Sequence, residues 1–376
     1  MKHVIIGAGA AGIAAIKTIR KHNQNDEIVL IVTDERRKES RPSHEGDFLT
    51  QNNVRSISGK KITGINIRNR LILFEDGMEY FDNLLIAADN AMPFSKPASN
   101  LLDLRHLPDM DAVYRYAQNA ENIVIVGAGC SGLDVACTFL DLGKTATIID
   151  GASYLFTKNL EKFAADIYKT KFEEAGCVFE FNSKVVSAEY DDTKVVSITL
   201  DSGKTLNCDM VVIAASCCPP VDFLAETDSD IGFENGVDVD EYCSTGVKGV
   251  YAAGDVTGQP GFCAGRQGEV AAKNMVGIPV TFDDMPTHTI NYFDIPTLSL
   301  GQSKPQDGDI IKEREKEGNY ERVILRDDVV VGVLMQGCTS HSALWQFLID
   351  KELNVSLLDK PIFDLSVADF HSMDLG

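Results

Sequence analysis

No cysteine occurs before position 130 of this 376-residue chain, and no Cys-x-x-Cys occurs anywhere in it. The first absence removes a redox dithiol from the N-terminal third. The second removes a thioredoxin-type pair and any obvious zinc or iron–sulfur ligand set. The nine cysteines, at 130, 137, 177, 208, 217, 218, 243, 263 and 338, are an odd number in a long chain. They form no disulfide framework, so a reducing cytoplasm is the expected location. Basic residues are scarce too: 35 Lys and Arg face 56 Asp and Glu, a formal net charge of −21. A surface of that sign repels nucleic-acid phosphates and anionic membranes, so neither is expected as a partner. Long apolar runs are also missing, since spanning a bilayer takes about 20 such residues. The stretch from Val4 to Ile16 behind Met1-Lys2-His3 imitates a secretory signal. Three glycines at fixed spacing, and no small-residue cleavage pattern before Lys17 and Arg20, argue against one. The balance of 44% hydrophobic and 24% charged residues is that of a globular protein, with length for two or three domains.

What is present is an internal repeat. Val4-Ile5-Ile6-Gly7-Ala8-Gly9-Ala10-Ala11-Gly12-Ile13 returns as Val124-Ile125-Val126-Gly127-Ala128-Gly129-Cys130-Ser131-Gly132-Leu133. Each copy starts as a β-branched apolar run, reads as a buried parallel strand, and passes into a helix-forming stretch. The first Gly permits the strand-to-helix turn, and the second removes a Cβ that would block a pyrophosphate. The third lets helix and strand pack closely. Backbone N–H groups and the positive end of the helix then hold phosphates.

Each copy has an acidic residue at the end of the next strand. Ile28 to Val32 runs into Asp34, 22 residues after Gly12, and Ala146 to Ile149 runs into Asp150, 18 after Gly132. A carboxylate about 20 residues on accepts hydrogen bonds from ribose hydroxyls. After Asp150 come Gly151-Ala152-Ser153, with no cation until Lys158. A 2′-phosphate would meet repulsion there, so the second site favours NAD(H) over NADP(H).

With these motifs the chain resembles the two-dinucleotide-binding-domain flavoproteins of the pyridine nucleotide–disulfide oxidoreductase superfamily. Within it, the chain is most similar to the branch of NADH:rubredoxin or ferredoxin reductases, NADH oxidases and nitrite reductase flavoproteins. The resemblance implies an α/β fold of two Rossmann-like dinucleotide-binding domains plus a small α+β C-terminal domain, the FAD domain being split by the inserted NAD domain. The implied segments are 1–112 and 233–288 for FAD, 113–232 for NAD, and 289–376 for the C-terminal domain. It also implies that the first fingerprint (Gly7, Gly9, Ala10, Ala11, Gly12, with Asp34) binds FAD. The second (Gly127, Gly129, Cys130, Ser131, Gly132, with Asp150) binds NAD(H). Thr245 to Asp255 resembles the second FAD motif, in which Gly254 admits the backbone and Asp255 accepts from the ribitol chain. Gln267 to Met275 resembles the following helix, whose positive end faces the flavin pyrimidine in that family. Arg41-Pro42 resembles a pair near the FAD pyrophosphate, and Ile62 falls where relatives touch the adenine. Leu104 to Asp109 resembles the linker into the NAD domain.

The chain departs from the pattern in several places. Cys217-Cys218 stands where relatives have Gly-x-Arg-Pro, with no potentiating His or Lys beside it, and reads as small residues ending a strand. Cys130 reads as a small residue at a helix start. Asp89 replaces a glycine, and residues 43–60 are shorter than in most relatives and lack the usual Lys near the flavin. A hairpin is expected from Val323 to Leu334 about Asp327-Asp328. Trp345 is expected in the core, while His288 and Ser340-His341-Ser342 receive no catalytic role. The implied activity is hydride transfer from NADH to FAD. Electrons then pass to rubredoxin, ferredoxin or another iron–sulfur partner, and homo-oligomerisation is left open. The alternatives are an oxygen-using NADH oxidase and a nucleotide-binding electron-transfer subunit with little turnover alone.

Overall fold

Strands Lys2–Ile6 (β1) and Glu27–Val32 (β2) are apolar from Val4 and from Ile28 onward and buried there on both faces, the signature of a parallel sheet covered on two sides. The computed structural model describes residues 1–32, 48–88, 94, 96, 98–104, 111–157, 160–214, 222–225, 231–232, 236–258, 264–282 and 287–370. They fall into two compact units, one of 1–95 with 216–283 and one of 96–215 with 284–376.

In the first unit β1 is central. It pairs in parallel with β2 and with Asn83–Ile86 (β7), while Val54–Ser58 (β3) and Val250–Ala252 (β16) close the edges. Alternate side chains serve opposite layers. Ile5, Leu30 and Leu85 face helices Ala10–His22 (α1) and Ala264–Met275 (α6). Val4, Ile31 and Ile86 face the small antiparallel sheet Ile62–Asn66 (β4), Leu71–Phe74 (β5) and Gly77–Tyr80 (β6). The short helix Asp222–Ala225 (α5) adds Phe223 and Leu224 to that layer.

The second unit repeats the plan. A parallel sheet in the order Val178–Glu180 (β11), Ala146–Ile149 (β10), Ile123–Val126 (β9), Met210–Ile213 (β15) and Leu101–Asp103 (β8) is accompanied by an antiparallel one. The latter joins Val185–Asp191 (β12), Lys194–Leu200 (β13) and Thr205–Asn207 (β14). Helices Asp111–Ala117 (α2), Cys130–Asp141 (α3) and Lys162–Glu174 (α4) supply Val113, Leu133, Phe139, Tyr168 and Phe172 to its core. Strand β8 lies in the first segment of the expected FAD domain, yet it pairs with β15 in this sheet.

A five-stranded antiparallel sheet completes the second unit. Its order is Thr287–Tyr292 (β17), Ile295–Gly301 (β18), Val329–Gln336 (β21), Asn319–Arg326 (β20) and Ile310–Lys316 (β19). The expected hairpin is β20–β21. Its two turn residues, Asp327 and Asp328, both have left-handed backbones (φ 51° and 63°), as a type I′ turn requires. One face of the sheet carries Leu300, Val323 and Met335 onto Trp345 and Leu348 of helix Ser342–Lys351 (α7), so Trp345 is core as expected. The opposite face meets α4 through aromatic rings, Tyr168 and Phe172 packing on Tyr292, and through polar side chains set among them. Tyr168 shares a 2.6 Å hydrogen bond with Thr297, Gln336 donates to the Ala164 carbonyl at 3.1 Å, and Arg322 pairs with Glu161.

Candidate functional site

The two glycine turns are built alike. Gly7 donates to the Ile31 carbonyl at 2.9 Å, and Gly127 to the Ile149 carbonyl at 2.7 Å. Each joins the end of its central strand to the neighbouring one. Gly7 (φ 107°) and Gly127 (φ 118°) occupy a backbone region closed to other residues. A Cβ on Gly12 would lie 2.1 Å from the Gly7 carbonyl oxygen, and one on Gly132 would lie 2.0 Å from that of Gly127. Packing within the protein therefore explains the first and third glycines of both turns.

It does not explain the middle one. Gly129 has an ordinary extended backbone (φ −86°, ψ −176°), and a Cβ there would meet no atom of the described residues within 4 Å. The space in front of it is open, as the approach of a pyrophosphate requires. Gly9 has the same conformation (φ −72°, ψ −172°). Both residues cap helices whose starts receive no side-chain cap and carry no acidic residue in the first turn. Each helix therefore presents a positive end that its own first turn does not compensate. The two cradles fit dinucleotide phosphates.

Asp150 sits beside the second cradle. Its carboxylate accepts from Ala128 N–H, between the first two glycines, at 2.6 Å and from Ala152 N–H at 2.8 Å. The two bonds fix the carboxylate and leave lone pairs on each oxygen for ribose hydroxyls. Cys130 and Ser131, the next two positions of the fingerprint, are exposed. Desolvation, with the Asp134 charge added, pushes the Cys130 thiol up rather than down, so the helix start does not make it a thiolate.

In the first unit the structure brings together the two motifs expected to hold FAD. A Cβ on Gly254 would lie 3.2 Å from that of Ala11, so the turn before Asp255 abuts the first turn of α1. The Gly254 N–H donates at 2.8 Å to the buried side chain of Gln267 on α6. Asp255 is exposed and opens a single 3-10 turn. Ala10 is exposed whereas Ala11 is buried against α6. Ile62 lies apart from these, its side chain in the opposite layer with Val4 and Ile6. Asp34, Arg41, Pro42, Asp89, Cys217 and Cys218 lie outside the described residues.

Sequence reasoning missed three participants. The sequence marks Gln267 only as the start of a helix, and nothing local announces its bond to Gly254. Phe156 donates its N–H to the Ala128 carbonyl at 3.4 Å from a left-handed backbone (φ 54°). Tyr292 on β17 donates its hydroxyl to Asp134 at 2.7 Å, across 158 residues of chain.

Burial pushes the thiols of Cys137 and Cys208 up to about 11 and that of Cys243 up to about 12, so they remain protonated at neutral pH. Among the described residues no group of three or more His, Cys, Asp or Glu is placed to hold a metal, and no helix is long and apolar enough to cross a membrane.

Comparison with known proteins agrees with this geometry. Residues 286–353 match the model of the rubredoxin NAD+ reductase C-terminal domain. The chain is 26% identical over 277 residues to a rubredoxin-NAD(+) reductase of Ectopseudomonas oleovorans, covering 68% of this chain and 71% of that protein. It is 27% identical over 324 residues to an NADH oxidase of Methanocaldococcus jannaschii, covering 75% and 71%. Its fold is similar to that in the covalent putidaredoxin reductase–putidaredoxin complex, with a TM-score of 0.68, 20% identity and 94% of each chain covered. Residues 1–272, most of the chain, match the family model described as pyridine nucleotide-disulphide oxidoreductase, and the protein belongs to that family.

Proposed function

We propose that this FAD-dependent NAD(P)H oxidoreductase takes its electrons from NADH and passes them to a small iron–sulfur carrier such as rubredoxin or ferredoxin, in the cytoplasm. The observation that carries the reading is the duplicated cradle, one copy per unit, with open space at Gly129 that no packing need explains. FAD, when bound, accepts the two electrons of a hydride and gives them up singly. The chain's own residues supply binding and orientation. The start of α3 holds the NADH pyrophosphate by backbone N–H groups, and Asp150 accepts from the adenosine ribose while opposing a 2′-phosphate. Gln267 fixes the Gly254–Asp255 turn against α1 for the flavin nucleotide. Hydride transfer needs alignment and exclusion of water more than a side-chain acid or base, so no catalytic residue is assigned.

An external one-electron acceptor is supported by the protonated thiols at 137, 208 and 243, and by the match of residues 286–353 to the rubredoxin reductase C-terminal domain. Transfer to oxygen is the second reading, favoured by the likeness to the archaeal NADH oxidase. The test is anaerobic NADH titration followed by an acceptor screen. The yellow protein is expected to bleach with about one NADH per flavin and then to reduce rubredoxin or ferredoxin much faster than oxygen. Fast oxygen consumption with idle carriers would establish the second reading. A protein that takes up no flavin would overturn both.

A further inference from the structure

We infer that Tyr292, on the first strand of the C-terminal sheet, is a positioning residue for the NADH cradle. This rests on the proposed assignment of the Gly127–Gly132 turn to NADH. Two observations converge on it. The Tyr292 hydroxyl donates to the Asp134 carboxylate at 2.7 Å and lies 3.3 Å from the Cys130 carbonyl. Both acceptors belong to the opening turns of α3, whose N–H groups face the phosphates. The Tyr292 ring also stacks on Phe156, with centroids 6.1 Å apart and planes 14° apart. Phe156 is buried, holds a left-handed backbone unusual for a bulky residue, and donates its N–H to the Ala128 carbonyl inside the glycine turn. Such a conformation persists only where its surroundings fix it. One side chain thus grips the cradle from the helix side through its hydroxyl and from the turn side through its ring. Tyr168 and Phe172 pack around it, so it has little freedom to move away. Desolvation and the Asp134 charge keep the phenol protonated, hence a donor, throughout the neutral range.

The consequence is that part of the pre-organisation of the NADH site comes from the C-terminal domain. Tyr292→Phe keeps the ring and removes the bond. It is expected to raise the NAD+ Kd and the NADH KM about five- to tenfold while kcat stays within about twofold, because a loosened cradle weakens binding without altering the reacting geometry once filled. Hydrogen exchange supplies a readout independent of turnover. Amides 128–134 are expected to exchange at least about fivefold faster in the variant, while amides 8–14 of the matching turn stay unchanged. Asp134→Ala breaks the same bond from its exposed end without touching the core, and is expected to speed exchange over the same amides. Tyr320→Phe, which removes a hydroxyl bonded to Glu313 elsewhere in the sheet, is expected to leave NAD+ affinity unchanged. Wild-type Kd and exchange in both cradle variants, or an equal affinity loss in Tyr320→Phe, would overturn the inference. Failure of the wild-type protein to bind NAD+ or NADH would instead overturn the functional assignment beneath it.

Discussion

In the first unit, the helix that leaves the glycine turn is covered: Ala11 is buried, Gly268 of α6 lies directly on its carbonyl, and Gln267 of the same helix holds the Gly254 turn. In the second unit the equivalent residue, Ser131, is exposed. Among the described residues the turn is bordered by the Asp150 and Tyr292 side chains and the Phe156 backbone N–H rather than by a second helix. The glycines of the two turns share their backbone angles and hydrogen bonds, so the contrast lies in their settings. A turn locked beneath a second helix suits a nucleotide that stays through many turnovers. One left open, with a carboxylate already oriented, suits a nucleotide that must leave after each.

The contrast is most severely tested at Gly268. A Cβ there would lie 2.2 Å from the Ala11 carbonyl oxygen, against backbone that has no room to yield. Gly268→Val is expected to cost about 3 kcal/mol or more and to empty the protein of flavin, read by thermal melting and absorbance, while NAD+ affinity holds within about twofold. Full flavin occupancy in this variant would show that the helix pair does not matter to the first socket. The reverse separation is expected at Gly129. With an ordinary φ and open space, Gly129→Val should lose only about 1 kcal/mol, the usual cost of an apolar residue at a helix N-cap, and keep its flavin. Its NADH Kd should nonetheless rise at least about tenfold, because the new methyl groups fill the place of the phosphates. Unchanged affinity would mean that no ligand approaches that turn.

A smaller effect separates the units by pH. Burial pushes His288, in the second unit, down to about 4 from an ordinary 6.5. In the first unit His3 is also lowered by burial, but its hydrogen bond to Asp26 works in the opposite direction. A folded-state value below the unfolded one means that the unfolded chain takes up the proton first. The His288 contribution is therefore complete above pH 6.5 and is lost as pH falls towards 4. The chain's single tryptophan, Trp345, lies in the second unit, so its fluorescence reports melting there. The melting temperature followed in this way is expected to drop over that window, and His288→Gln to flatten the drop. An equal slope in both proteins would assign the loss to other groups.

Features written in local residue chemistry were legible before the structure. Gly-x-Gly-x-x-Gly behind a β-branched run, an acid at the end of the next strand, and Asp327-Asp328 between alternating apolar residues each describe a short segment whose backbone needs are met on the spot. What was not legible depends on pairs distant in the chain. Nothing in Leu101–Asp103 states which sheet it joins, because a three-residue apolar strand fits either edge. The bonds from Gln267 to Gly254 and from Tyr292 to Asp134 are set by how helices and sheets stack, and periodicity does not record that. Burial of Ala11 beside an exposed Ser131 escaped notice for the same reason: the two fingerprints read alike, and only their neighbours differ.

The face of the C-terminal sheet that meets α4 carries one more consequence. The joint mixes ring contacts with hydrogen bonds, and it is the hydrogen bonds that have direction. Thr297 on Tyr168, Gln336 on the Ala164 carbonyl and Arg322 on Glu161 spread such bonds along one helix and across three strands, so the joint has a single seat. A module seated in only one way keeps its register against the neighbouring helix, so the strands that bear those bonds hold fixed positions along it.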